Sequence, residues 1–128
     1  MITIHLNTNE LYNRMYHLRG EPHTYVAYVR GQRCTTYERL HAEISAALQF
    51  PSYYGENLNA LSECIEDLEW LNAERIFIFI DQAENFLQFD EAEDNAYSKI
   101  LICAEKYWQE ESKEFVVFLN IGKNWFCC

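Results

Sequence analysis

Pro51-Ser52-Tyr53-Tyr54-Gly55-Glu56-Asn57-Leu58-Asn59-Ala60-Leu61-Ser62-Glu63-Cys64-Ile65-Glu66-Asp67-Leu68 begins as a loop and continues as a helix. Pro51 fixes φ and lacks an N–H, so it closes the helical pattern that precedes it. Gly55 supplies a backbone turn that a β-carbon resists. From there Leu58, Leu61, Ile65 and Leu68 recur at helical spacing with Cys64 on their flank, which predicts one buried stripe. The opposite side carries Asn59, Glu63, Glu66 and Trp70, an acidic face that ends in an aromatic and is entered through Tyr53 and Tyr54. The spacing predicts a helix to about Trp70 whose outer face is offered to a partner.

Outward from this stretch, strands and helices alternate. Ile2, Ile4 and Leu6 alternate with polar residues and predict a short edge strand over 2–6. Asn7 and Glu10 form a capping pair, followed by the helical stripe Leu11, Met15 and Leu18, which ends near Gly20 and Pro22. Tyr25–Val29 is a β-rich run stopped at Arg30-Gly31. Thr35-x-x-Glu38 has the form of a capping box, and the helix behind it turns Leu40, Ile44, Ala47 and Leu48 inward. Ile76–Ile80 is apolar throughout, as expected for a strand covered on both faces. Residues 81–90 read as acidic and irregular, with one helical turn around Ala83–Phe86. A long helix from about Ala92 to Glu111 turns Tyr97, Ile100, Leu101, Ala104, Tyr107 and Trp108 inward, with Glu105 on the shoulder of that stripe. Phe115–Leu119 is a second fully apolar strand, and 121–128 is a tail in which Ile121, Trp125 and Phe126 are expected to pack. Parallel neighbours need crossover connections. The expectation is therefore a single α/β domain over 1–128, a layer of mainly parallel three- to four-stranded sheet packed with helices. Strands 25–29, 76–80 and 115–119 form its main sheet.

At 128 residues the chain can bury a sizeable core without disulfides or metals. Its 49% hydrophobic and 23% charged content is that of a soluble globular protein. The longest clean apolar run, Ile76–Ile80, is too short to span a membrane, and Met1–His5 lacks the start of a signal peptide, so a cytoplasmic location is expected. Cys34, Cys64 and Cys103 lie in apolar patterns and read as reduced core thiols; the adjacent Cys127 and Cys128 have no assigned role. The net charge of −10 is local: residues 56–94 hold twelve acids and one base, Arg75, whereas 1–55 and 95–128 are close to balanced. Such a field argues against direct nucleic-acid binding and for a basic protein partner. The plainer reading is a solvated acidic surface.

Catalytic patterns are absent from the sequence. It has no Walker loop, no G-x-G-x-x-G and no G-x-S-x-G elbow. His5, His17, His23 and His41 are scattered; His41-x-Glu43 echoes a zinc-deaminase start, but no P-C-x-x-C follows, and His41 reads as a core-edge histidine. Glu63 and Glu66 lie one helical turn apart, where a solvated face is a simpler account than an acid/base pair. The expectation is a protein that is not an enzyme and needs no cofactor or metal.

Tyr53-Tyr54-Gly55-Glu56-Asn57-Leu58-x-Ala60-Leu61-x-x-Cys64 resembles the signature of the barstar family, intracellular protein inhibitors of an extracellular bacterial ribonuclease, and Pro51 stands where that family has its proline. The element order agrees from about Tyr25 to Asn120, which leaves 1–22 as an extra strand and helix. The resemblance implies inhibition by occlusion: loop and acidic helix fill a basic nuclease active site, standing in for RNA phosphates. It implies that Tyr53 stacks on the enzyme's catalytic region, that Tyr54 and Gly55 shape the loop, and that Asn57 hydrogen-bonds across the rim. Asn59 and Glu63 fall where the family uses two acidic contacts, and Glu105 falls at a further one by alignment of Ser98 to Lys106. The sequence also departs from the family. Asn59 replaces an aspartate, Glu63 replaces a shorter one, and Ser62 replaces a tryptophan. Glu66, Asp67 and Trp70 offer compensating contacts to a different basic enzyme. The expected partner is thus a basic ribonuclease or related nuclease toxin, bound one-to-one by a protein that is monomeric when free. The alternative is a non-inhibitory acidic module of the same fold with another basic partner. For three residues a local role stands beside the implied one: Tyr53 and Tyr54 as packing of the loop on the core, Asn57 as a helix cap.

Overall fold

The computed structural model describes residues 1–122. In chain order the elements are β1 (Ile2–Ile4), α1 (Thr8–Arg19), β2 (Thr24–Arg30), α2 (Tyr37–Ala47), α3 (Leu58–Asp67), β3 (Arg75–Asp81), α4 (Ala83–Ala92), α5 (Ala96–Glu110) and β4 (Glu114–Asn120). Short 3₁₀ turns follow β2 and α3, at Gly31–Arg33 and Glu69–Leu71. The four strands lie in the order β1-β4-β3-β2 and every pair is parallel, so the α/β expectation holds with β1 as an added edge.

β3 runs through the middle and explains the unbroken apolar run: it is covered on both faces. Side chains alternate across a strand. Ile76, Ile78 and Ile80 join the larger core cluster with Ala27, Val29, Phe115, Val117 and Leu119, beneath α2–α5. Phe77 and Phe79 point the other way, where they meet Leu11, Met15 and Val26. Phe79 stacks on Phe118 with ring centroids 4.7 Å apart. Among the described residues, α1 is the helix that supplies buried side chains to this phenylalanine face. Its start is as expected: Asn7 Oδ1 accepts from Glu10 N (2.9 Å) while Glu10 Oε1 accepts from Asn7 N (3.0 Å).

β1 is shorter than the sequence pattern suggests, because Leu6 leaves the ladder for a side chain. Its N–H donates to Asn120 Oδ1 (2.8 Å), and Asn120 Nδ2 donates back to Leu6 O (3.1 Å) and to Asp81 Oδ1 (3.0 Å). Where β2 ends, Gly31 is required by close approach: a β-carbon there would stand 2.2 Å from the Asp81 carbonyl oxygen.

Several local expectations change. Thr36, not Thr35, caps α2, its hydroxyl accepting from Arg39 N at 3.2 Å. Residues 83–92 form a full helix, and the next one starts at Ala96 after left-handed Asp94 and Asn95 (φ 57° and 58°). Buried Asp90 makes that break workable. Its Oδ1 accepts from Tyr97 N (2.8 Å) and Ser98 N (3.2 Å) and its Oδ2 from Ser98 Oγ, so α4 caps α5. α3 ends at Asp67 rather than Trp70, because Leu68 adopts a left-handed conformation (φ 47°) while staying buried. Cys103 is exposed on α5, unlike buried Cys34 and Cys64. Ile121 is half-buried beside α4, whereas the expectations for Trp125, Phe126, Cys127 and Cys128 lie outside the described residues. No helix among the described residues is long and apolar enough to cross a membrane.

Candidate functional site: the loop before α3 and the outer face of α3

α2 ends at Ala47, and the chain must turn before α3 can pack on the same face of the sheet. Gln49 takes a left-handed conformation (φ 55°) and Tyr54 N closes a turn on Pro51 O (3.0 Å). Phe50 sits edge-on to Tyr54 (centroids 4.8 Å apart) and to Trp70 (6.1 Å), so the base of the loop is aromatic. Trp70 belongs to this base rather than to the outer face: it is half-buried, and its Nε1 donates to Leu48 O at 2.9 Å.

The loop is anchored by His41, which is fully buried. Its Nδ1 meets Tyr54 Oη, and its Nε2 lies 3.0 Å from Tyr97 Oη on α5. Burial lowers the His41 pKa below its ordinary 6.5, partly offset by the charge of Glu56. Burial likewise pushes the phenol of Tyr97 up to about 12 and raises that of Tyr54, so both remain hydroxyls at neutral pH. Tyr54 thus ties the loop to the fold, through its hydroxyl to His41 and its ring to Phe50. Tyr53 is the opposite, 73% exposed at the loop tip.

Gly55 does not use a positive φ; the left-handed residue is its neighbour Glu56 (φ 51°). What Gly55 provides is room, since a β-carbon there would sit 3.3 Å from Asn57 Nδ2. Asn57 is the N-cap of α3. Its Oδ1 accepts from Ala60 N (2.8 Å), and its Nδ2 donates back to Gly55 O (3.3 Å). Leu61, Cys64 and Ile65 then turn inward, while Leu58, expected in the buried stripe, is 39% exposed because it opens the first turn beside the loop.

Asn59 and Glu63 both stand in solvent on the outer face, and neither side chain makes a hydrogen bond or ion pair among the described residues. Ser62 and Glu66 are half-buried and touch each other, Ser62 Oγ lying 3.4 Å from Glu66 Oε2. The helix is held from beneath by Trp108 of α5, whose Nε1 donates to Ile65 O at 3.0 Å. Glu105 is not turned to this face. One oxygen pairs with the Met1 amino group (2.9 Å) and the other accepts from Val117 N (3.1 Å).

The structure thus gathers Tyr53, Tyr54, Gly55, Asn57, Asn59, Ser62, Glu63 and Glu66 on one continuous loop and helix, and leaves Glu105 committed within the fold. Sequence reasoning missed the anchoring role of His41 and the part of Tyr37, whose hydroxyl donates to Glu56 O. The available signal was their spacing: two aromatic rings one turn apart on α2.

Fold and surface together define a small parallel α/β protein that presents a preorganised loop and an acidic helix face to solvent. The model of one family, described as Barstar (barnase inhibitor), matches residues 24–120, and the chain belongs to the barstar family. That family is one of ribonuclease inhibitors rather than enzymes. No curated protein matches the chain.

Proposed function

We propose that this protein is an inhibitor of the immunity or antitoxin type, occluding the basic active site of a ribonuclease or related nuclease toxin with its loop and α3. The observation that carries this reading is Glu63. It is an exposed carboxylate without a hydrogen-bond or ion-pair partner among the described residues, on a helix whose start is fixed by the Asn57 cap and whose preceding loop is fixed by His41. A preformed charged surface spends little ordering entropy on association. With Asn59 neutral, Glu63 carries the central charge and Glu66, steadied by Ser62, the second. Tyr53 and Leu58 add exposed apolar area on the loop and the first turn of α3, and Tyr37 adds it beside Glu56, the composition expected of an interface with aromatic anchors. Glu105 stays outside the proposed surface, because both its oxygens serve N–H groups of this chain.

The partner binds one-to-one, in the cytoplasm, to a protein that is monomeric when free; no cofactor and no direct nucleic-acid contact are involved. Titration calorimetry against a panel of small basic bacterial ribonucleases and toxin nuclease domains, at low and high salt, tests this. Salt-sensitive binding with loss of RNA cleavage supports inhibition. Binding to a basic protein without loss of cleavage favours a non-inhibitory module of the same fold, and silence across the panel removes the nuclease as partner.

A further inference from the structure

We infer that Tyr37, at the first position of α2, is a positioning residue that holds the recognition loop in its binding shape; the inference rests on the proposed reading of that loop. Glu56 has φ 51°, a conformation that a residue with a β-carbon keeps only when its surroundings hold it there. Its neighbours are secured separately, Tyr54 by His41 on one side and Asn57 by capping its own helix on the other. Glu56 itself receives one hydrogen bond from another element among the described residues, donated to its carbonyl by the Tyr37 hydroxyl.

Tyr37 is well placed for this. It follows the Thr36 cap, so its backbone is set by the start of α2. Its ring lies 4.4 Å from that of His41, one turn further along the same helix. Tyr37 and His41 therefore grip the loop at two points, Glu56 and Tyr54, from a single rigid element. The peptide they fix leads directly into Asn57, so the grip sets where α3 begins and how Asn59 and Glu63 are presented.

Tyr37→Phe in the full chain removes the hydroxyl and keeps the ring. The Ala60 amide, bonded to Asn57 Oδ1, is expected to exchange about fivefold faster in the free variant, the factor for one net hydrogen bond. The nitrogen-15 order parameters of Glu56 and Asn57 are expected to fall. Affinity for a nuclease captured by the wild-type protein is expected to drop by at most the same factor, because the apparent Kd rises only as the competent fraction of the free loop falls. A lowered urea midpoint with wild-type Ala60 exchange and wild-type order parameters would mean that Tyr37 is merely structural, and would overturn the inference. If no nuclease binds the wild-type protein, the function proposed above fails, while the exchange and relaxation of the free loop still decide the role of Tyr37.

Discussion

Replacing His41 with Gln should uncouple the stability of this protein from pH across the range where histidine titrates. In the fold the neutral imidazole has one donor and one acceptor for two tyrosine hydroxyls, Tyr54 and Tyr97, in a site closed to solvent. Protonation makes both ring nitrogens donors, so each hydroxyl must accept and its own proton must find another partner. The groups facing the ring are Tyr37, Tyr54, Tyr97 and Glu56, of which the Glu56 charge alone favours the imidazolium. Desolvation outweighs it, and the folded pKa lies below the 6.5 of an unburied histidine. The sign follows from proton counting. Above the unfolded value both states hold a neutral ring and the full contribution is present. Between the unfolded and folded values the unfolded chain binds one proton more, so stability falls as the medium becomes more acidic. The slope approaches about 1.4 kcal/mol per pH unit. Gln keeps a donor and an acceptor but cannot titrate; at neutral pH it should cost about 1–3 kcal/mol through imperfect hydrogen bonds. Urea unfolding from about pH 8 to about pH 5, a range that brackets histidine titration, gives the difference between the two proteins. Carboxylates common to both largely cancel in that difference. It should be largest at the alkaline end and shrink towards acid. A constant difference, or one that grows with acidity, would refute the reasoning.

Glu63→Ala should weaken binding to the target nuclease by about 2–5 kcal/mol, the range for truncating a paired interfacial charge. Because Glu63 is exposed, its unfolding midpoint should hardly move. Calorimetry and urea melts on one preparation check both. Trp108→Phe removes the hydrogen bond to Ile65 O and should cost about 1–3 kcal/mol, since it leaves a buried carbonyl without its donor; unfolding followed by circular dichroism measures it. Leu11→Ala empties a fully buried site on the phenylalanine face and should cost about 2–5 kcal/mol, read in the same way.

Much of the fold was legible because its signals are local. The runs 76–80 and 115–119 have no polar face, which only a strand covered on both sides can accommodate, and the caps at Asn7 and Asn57 lie beside the helices they start. What escaped depends on distant partners. α4 looked irregular because Asp90 occupies an inward position; that carboxylate is buried to cap α5, a demand written seven residues away. Trp70 looked like a surface aromatic until the loop folded beneath it. Glu105 looked like a rim residue until β4 and the amino terminus claimed its oxygens. Of the site, the loop and helix were readable as a motif, but their support from α2 was not, since aromatics on a helix signal burial without saying what they hold.

The pairing of β1 with β4 joins residues 2–4 to residues 118–120. On the ribosome β1 therefore waits for β4, and the intervening chain must be made before the two can pair. α3 waits as well, because its support at Ile65 comes from Trp108. Such non-local contacts fold slowly. The proposed recognition surface thus gains its support only once Trp108 has been made, and a nascent copy has an interval in which α3 lacks it. Nascent chains stalled before residue 108 should be cut readily by protease within α3, and released full-length chains should not. Equal protection in both would show that α3 forms without its distant support.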